Sequence, residues 1–203
     1  MSDQFTTFDA ARTALLLMDF QASLLDGLTQ PEVLLAQVRR TQRAALRAGI
    51  HQVQIRVAFT PDEHAAIPLH NKVFAPLAAR RALGLGDPGT EVHWSLQDGG
   101  CGHVVTKTRV SAFNTTSLDQ SLRERGIDTL VLAGMFTSGV VLSTVRDAAD
   151  RDYRIIVVGD ACADGNAELH ELLLRDVLPL HADILTVASF EVLTRTADWP
   201  RLG

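Results

Sequence analysis

The stretch that most constrains the fold is residues 130–150. A short aliphatic run reaches Gly134, and after a small polar turn Val141, Val145 and Ala148 recur at the spacings of four and three that are typical of a helix. This pattern predicts a buried strand that leads into the N-terminus of a helix. Because the first N–H groups of a helix lack intrahelical acceptors, such a junction can hold a carbonyl oxygen or a carboxylate. We therefore expect the active site at this turn, although none of its side chains is a strong nucleophile.

The rest of the chain alternates between strand and helix patterns. Strands are predicted at 13–19, 52–58, 103–107, 129–133, 154–159 and 183–187, and the longer helices at 31–49, 117–125, 139–151 and 167–177. This alternation predicts an α/β fold with a mainly parallel sheet, whose ligands gather at the carboxyl ends of the strands. We interpret 1–203 as a single domain with a long loop excursion over about 59–102, where one short helix is expected near 73–83. Residues 190–203, with Trp199, are expected to form a mixed tail that docks on a neighbouring element.

Composition narrows the function classes. The formal net charge of the 203 residues is −5, and neither sign forms long runs, which disfavours a nucleic-acid partner. No apolar run approaches the ~18 residues of a membrane span, and no signal-peptide pattern precedes residue 10, so we expect a cytoplasmic protein with no membrane partner. Cys101 and Cys162 lie far apart and form no metal-binding pair, which favours reduced thiols.

Four separated motifs follow one another at the predicted strand ends. They are Ala-Leu-Leu-Leu-Met-Asp-Phe-Gln at 14–21; Val-Val-Thr-Lys at 104–107 with Ser-Ala-Phe at 111–113; Leu-Val-Leu-Ala-Gly at 130–134 with Ser-Thr-Val-Arg-Asp-Ala at 143–148; and Val-Val-Gly-Asp-Ala-Cys-Ala at 157–163. Together they resemble the isochorismatase-like, or cysteine hydrolase, superfamily. The resemblance covers 12–187, least well over 59–102. It implies a three-layer Rossmann-like fold, with a six-stranded mainly parallel sheet in the order 3-2-1-4-5-6 and helices on both faces.

The same resemblance implies a catalytic set of Asp, Lys and Cys after the first, third and fourth strands. Asp19 and Lys107 match the first two positions, and the third falls on Val140, whose isopropyl group cannot attack a carbonyl. A close branch, the isochorismatases proper, also lacks the thiol and has glycine there; it cleaves a vinyl ether with the Asp as acid and water as nucleophile. The alternatives are that Asp19 caps a loop, that Lys107 is a surface residue and that Val140 only packs into the pocket floor.

The resemblance also places a cis peptide between Met135 and Phe136. Such a bond is expected to direct the N–H groups of Gly139 and Val140 into the cleft as an oxyanion hole. Ser138 belongs to the same substrate-binding turn. Gln21 from the first motif and the aromatic walls Phe113 and Phe136 complete the predicted binding residues.

Other polar residues give weaker hypotheses. Thr137 and Ser138 are possible replacement nucleophiles, but such hydroxyls more often cap a helix, and no histidine is placed by sequence to activate them. Asp62, His64 and His70 have a spacing similar to that of a metal cluster in the nicotinamidase branch, and three such ligands would suit a divalent metal. The simpler interpretation of these three is polar residues on a long loop, so no cofactor is expected.

The leading hypothesis is a hydrolase of a small molecule, acting on a C–O or C–N bond without a cysteine nucleophile. Asp19 would be the acid or base, Lys107 its electrostatic support and water the nucleophile. The alternative is a catalytically silent member that binds a small ligand or acts as an oligomeric scaffold. By analogy with the superfamily, a homodimer or homotetramer is expected.

Overall fold

The computed structural model describes residues 9–97 and 103–196, and its centre is a parallel sheet of six strands. The strands are β1 (Thr13–Met18), β2 (His51–Val57), β3 (Val104–Lys107), β4 (Thr129–Gly134), β5 (Arg154–Val158) and β6 (Asp183–Leu185). Their order in the sheet is β3-β2-β1-β4-β5-β6, as predicted. The order reverses between β1 and β4, which is where ligands bind in open α/β sheets.

Register brings the ends of three strands together. Met18 of β1 pairs with Gly134 of β4 on one side and with Ile55 of β2 on the other, and Val57 of β2 pairs with Lys107 of β3. Asp19 follows Met18 directly, so the Asp, the Lys and the turn after Gly134 all lie at the carboxyl edge of the sheet. The α/β fold and the edge on which the candidate residues lie are therefore as the sequence predicts.

Helices cover both faces of the sheet. They are α1 (Ala22–Leu25), α2 (Pro31–Arg47), α3 (Pro61–Ala65), α4 (Ala75–Ala79), α5 (Leu118–Glu124), α6 (Leu142–Ala149), α7 (Ala167–Leu172) and α8 (Val187–Thr196). Alternate residues of β1 divide between two cores: Leu15 and Leu17 face the layer that holds α2 and α8, whereas Leu16 faces the layer that holds α5 and α6. A strand buried on both faces explains the unbroken apolar run at its position in the sequence.

Three predicted elements differ in detail. The helix after β4 begins with a π-helical turn, Thr137–Val141, and the helix predicted over 167–177 changes after Leu172 into a second one, Leu173–Val177. Part of the predicted tail is the helix α8, which packs on α2 and buries Phe190 completely. The helix was not predicted because its apolar face is short and is completed by contacts with α2 and with the turn after β5, which are distant in sequence. Trp199 and Cys101 lie outside the described residues.

The excursion after β2 has a small core of its own. Phe59, Phe74 and Leu83 are buried there together with Val57 and Ile67. The helix expected near 73–83 is the single turn α4, and α3 begins with a capping box between Thr60 and Glu63. Residues 59–97 of the excursion thus form an ordered layer over the carboxyl end of β2.

Membrane-spanning elements were searched within residues 9–97 and 103–196. None of the helices there is long and apolar enough to cross a bilayer.

Candidate functional site

A buried ion pair joins the ends of β1 and β3. Lys107 Nζ donates to Asp19 Oδ2 at 2.9 Å, and the two residues are only 2% and 5% exposed. The ammonium also donates to the carbonyl of Arg109 at 3.1 Å. The predicted strand ends place both residues at one edge of the sheet, and the resemblance implies that they act together; we call Asp19 and Lys107 the acid–base pair below.

The carboxyl group of Asp19 is only half satisfied. Its Oδ1 is buried and has no hydrogen-bond partner, whereas its Oδ2 receives Lys107. Burial raises the pKa of this carboxyl above its usual range, and the charge and hydrogen bond of Lys107 oppose the rise without cancelling it. The result is a carboxyl group that holds a proton more readily than an ordinary Asp and keeps one buried oxygen without a hydrogen-bond partner.

The backbone fixes where this carboxyl points. Asp19 has a φ of +63°, in the left-handed region that Asp and Asn tolerate better than most residues. Its N–H donates to the Ile55 carbonyl at 2.8 Å, and its own carbonyl accepts the N–H of Gln21 at 2.8 Å. The chain therefore turns sharply as it leaves the sheet.

We call residues 135–141 the site turn. Most of their backbone N–H groups already donate hydrogen bonds within the chain. The N–H of Thr137 donates to the Ala163 carbonyl at 2.8 Å, and that of Ser138 to Asp164 Oδ2 at 2.7 Å. The N–H groups of Gly139 and Val141 both donate to the Phe136 carbonyl, at 3.1 and 3.2 Å. An oxyanion bound at Gly139 would therefore have to share its donor with the chain itself.

The Met135–Phe136 peptide bond at the start of the site turn is cis, where the resemblance places it. Gly134 before it permits a close approach between β4, β1 and the turn. A Cβ at this position would lie 3.0 Å from Val141 Cγ2 and 3.2 Å from Met18 Cβ.

Val140 points into the core. It is 2% exposed and belongs to the same apolar layer as Leu16 and Val145. A buried isopropyl group at this position supplies neither a nucleophile nor a proton donor.

The two hydroxyl groups of the site turn are held by the segment after β5. The Ser138 hydroxyl donates to Asp164 Oδ2 at 2.6 Å, so Ser138 is not the expected helix cap. The buried Thr137 hydroxyl donates to the Ala163 carbonyl at 3.1 Å and lies 2.8 Å from His170 Nδ1. Sequence analysis missed Asp164 and His170; the available signal was that Asp164 lies just after the fourth motif and two residues before the helix-capping Asn166.

Two predicted binding side chains are structural instead. Gln21 is completely buried: its amide donates to the carbonyls of Val57 and Thr90 at 2.9 and 2.6 Å and accepts the Val57 N–H at 2.8 Å. Met135 is also completely buried, within the core between the sheet and α2. Neither side chain is available to a substrate as folded.

The two predicted aromatic walls occupy different places. Phe113 stacks on Tyr153, with ring centroids 5.9 Å apart, and lies under the Arg151 guanidinium. Since Tyr153 precedes β5, this is the amino end of the sheet, so Phe113 does not line a pocket beside Asp19. Phe136 is half-buried on the site turn, against the core beneath α2.

The weak metal candidates do not come together. His64 Nε2–H donates to the Ala82 carbonyl at 2.8 Å, and its ring stacks on Phe59 at 4.9 Å, so loop packing accounts for this side chain. Among residues 9–97 and 103–196, no group of three His, Cys, Asp or Glu side chains could hold a metal ion, so Asp62, His64 and His70 do not form the cluster considered above.

Cys162 is buried beside Gly134 and carries a free thiol. Burial raises the pKa of this thiol to about 12, which leaves almost no thiolate at neutral pH. It is therefore not a substitute for the absent nucleophile.

The sequence profile of the isochorismatase domain matches residues 13–189, which is most of the chain. The chain belongs to the isochorismatase family. Ureidoacrylate amidohydrolase RutB of Methylorubrum extorquens strain AM1 is 31% identical over 217 residues, covering 96% of this chain and 88% of that protein. The isochorismatase family protein YecD of Escherichia coli O157:H7 is 29% identical over 192 residues, covering 88% and 94%.

Solved structures agree with the fold. A cysteine hydrolase from Pseudomonas syringae pv. phaseolicola 1448A superposes with a TM-score of 0.84 at 21% identity, covering 96% of this chain and 99% of that one. N-carbamoylsarcosine amidase from Thermoplasma acidophilum has a TM-score of 0.68 at 28% identity, covering 87% and 96%. The isochorismatase family is a family of hydrolases, and the curated relatives include amidohydrolases.

Proposed function

We propose that the protein hydrolyses a small molecule at a C–O or C–N bond, with Asp19 as the acid–base group and water as the nucleophile. One observation carries this proposal: a buried carboxyl group has one oxygen on Lys107 and the other, Oδ1, without a partner. An unsatisfied buried acceptor is costly for a fold, and such groups concentrate at functional sites.

The proposed steps follow from that geometry. The protonated Asp19 gives its proton to the leaving oxygen or nitrogen as the bond to carbon breaks. The oxygen of a water molecule forms the new bond to that carbon, and a proton of this water returns to Asp19. Lys107 holds the carboxyl in place and stabilises it while it is ionised. The raised pKa of Asp19 suits the first step, because the proton is retained at a higher pH than in an ordinary Asp.

Other nucleophiles are poorly supported by their surroundings. Val140 has no reactive group, and the thiol of Cys162 is protonated at neutral pH. The Ser138 hydroxyl is bound to the Asp164 carboxylate and not to an imidazole of the kind that activates a serine hydrolase. Water is the nucleophile that these constraints leave.

A second candidate function is a catalytically silent member that binds a small ligand or serves as an oligomeric scaffold. The observation that favours it is the near-complete burial of Asp19, Lys107 and Val140, which leaves little room for a substrate in the single chain as folded. The two functions differ in whether Asp19 is needed for any turnover.

The test compares the wild type with Asp19→Asn against a panel of vinyl ethers, amides, ureas and nitriles. Asp152→Asn is the matched control, because Asp152 is exposed at a turn before β5 and has a similar left-handed φ of +59°. We expect Asp19→Asn to lose activity by about 10²–10⁴-fold and Asp152→Asn to keep it. Activity that survives Asp19→Asn would overturn the mechanism, and an inactive wild type across the panel would favour the silent alternative.

A further inference from the structure

A separate cavity of about 570 Å³ lies in the excursion after β2. Pro61 and the half-exposed Leu85 contribute apolar wall over the buried Phe59 ring, and His64, Arg81 and Asp87 contribute polar groups. Its volume is within the range of small-molecule sites, and it does not include the acid–base pair.

Two opposite charges at this cavity are unpaired. Within the described parts of the chain, neither the Arg81 guanidinium nor the Asp87 carboxylate makes a side-chain hydrogen bond or an ion pair, with each other or with a third residue. The neighbouring Arg80, by contrast, donates its Nε–H to the Pro76 carbonyl at 3.2 Å. The cavity therefore presents a cation and an anion that could bind the opposite charges of one ligand.

The backbone that carries Arg81 is held in an unfavourable conformation. Arg81 and Leu83 have φ values of +52° and +60°, in the left-handed region that is costly for residues other than glycine. Hydrogen bonds from Ala82 N–H to the Leu77 carbonyl and from Phe59 N–H to the Leu83 carbonyl, each 2.9 Å, fix this course. As a result Leu83 is buried in the small core while Arg81 stays exposed at the cavity.

Space at Gly84 lets the Asp87 carboxylate lie against the loop. A Cβ on Gly84 would be 2.5 Å from Asp87 Oδ2, so any larger residue would displace this oxygen. Gly84 has an ordinary φ, and what it supplies here is room for a charged group.

His64 links the Phe59 ring beneath the cavity to the loop that carries Arg81. Its ring stacks on Phe59, and its Nε2–H donates to the Ala82 carbonyl, beside Arg81. These two contacts hold the Phe59 ring and the loop that carries Arg81 in a fixed position relative to each other.

We propose that this cavity binds a small zwitterion with an apolar or aromatic side chain. Its carboxylate would pair with Arg81, its ammonium with Asp87, and its side chain would pack on Leu85 and Pro61. This site is additional to the hydrolytic site proposed above and does not depend on the chemistry of Asp19.

The test uses L-phenylalanine as the probe, with 3-phenylpropionate and phenethylamine as analogues that each lack one charge. Binding is measured by calorimetry and by amide NMR shifts, in the Asp19→Asn protein so that turnover plays no part. We expect each analogue to bind about tenfold or more weakly than L-phenylalanine. No binding of L-phenylalanine up to about 10 mM, or equal binding of an analogue, would overturn the proposal.

Variants assign the two charges. Arg81→Gln should weaken L-phenylalanine about tenfold and remove its advantage over phenethylamine, and Asp87→Asn should remove its advantage over 3-phenylpropionate. Gly84→Ala should weaken binding while keeping both charges, because it displaces the carboxylate. Arg80→Gln is the matched control and should change nothing; if it acts like Arg81→Gln, the effect is only general charge and the site is disproved.

Discussion

On one side of the candidate site the carboxyl of Asp19 keeps a buried oxygen without a partner, whereas on the other side five N–H groups of the site turn donate to acceptors in the chain itself. The two sides lie at the ends of neighbouring strands, β1 and β4. They differ in that the first is held by one long-range ion pair and the second by the adjoining segment 163–170. This unsatisfied buried carboxyl is the basis of the mechanism proposed above, in which Asp19 is the reactive group and the site turn is a structural floor.

The largest expected effect on stability comes from breaking the acid–base pair. Lys107→Met leaves the Asp19 carboxyl buried without its cation and should cost about 3–5 kcal/mol in the free energy of unfolding at neutral pH. The double variant Asp19→Asn/Lys107→Met should regain most of the loss, since neither charge is then buried alone. Urea denaturation of the single and double variants measures both effects. Equal stability of Lys107→Met and wild type would mean that the pair is not buried as described.

This loss should depend on pH with a defined sign. A carboxyl whose folded pKa is raised above its unfolded value keeps its full contribution to stability below the unfolded pKa and loses it as pH rises through the folded pKa. Without Lys107 the rise is larger, so the deficit of Lys107→Met should be smallest near pH 4 and grow toward pH 7. A deficit that shrinks with rising pH would show that Lys107 does not lower the pKa of the Asp19 carboxyl.

A smaller loss of stability is expected when Gln21 is replaced. The sequence predicts Gln21 as a binding residue, but its side-chain amide is hydrogen-bonded to the backbone of Val57 and Thr90. Gln21→Ala removes partners from Val57 and Thr90 and should cost about 1–3 kcal/mol. Thermal unfolding tests this expectation. Unchanged stability together with lost substrate binding would restore the original interpretation.

The hydrogen bonds between Ser138 of the site turn and Asp164 after β5 should contribute still less to stability. Asp164→Ala removes the acceptor of the Ser138 N–H and hydroxyl, but Ser138 is exposed, so water replaces much of it and the expected cost is about 1 kcal/mol. Ser138→Ala is the control that keeps the backbone bond, and it should cost less. The reverse order would indicate that the hydroxyl, rather than the N–H, is the important donor.

The smallest effect is expected in the reactivity of the Cys162 thiol, which depends on its burial in the native fold. Because burial raises the pKa of Cys162 to about 12, this thiol should resist alkylation at pH 8 in the folded protein and react once the protein is unfolded. Peptide mapping after a timed iodoacetamide exposure distinguishes Cys162 from Cys101. Rapid labelling of native Cys162 would show that the core around Gly134 opens readily.

Features that follow from local sequence patterns could be predicted, whereas contacts between residues far apart in the chain could not. The alternation of strands and helices placed Asp19, Lys107 and Gly134 at one edge, because parallel strands bring their carboxyl ends together. Gln21 was misassigned because its partner Thr90 lies 69 residues away in the excursion, whose course has no periodic signal.

The site turn shows the same limit. Its strand and helix were predictable, but the occupancy of its N–H groups depends on Ala163 and Asp164, which a bridge between Met135 and Ala163 brings alongside. The helix α8 was missed for a similar reason, since its apolar contacts are made with α2 and with the turn after β5.

The central claim is that Asp19 is a carboxyl group whose environment favours the protonated form. Carbon-detected NMR titration of the Asp carboxyl groups, with Asp19 assigned by its absence in Asp19→Asn and Asp152→Asn as reference, measures this directly. The account predicts a midpoint for Asp19 above the ordinary value of about 3.9. A midpoint at or below that value would show that Lys107 outweighs burial and that Asp19 is a permanently ionised structural partner.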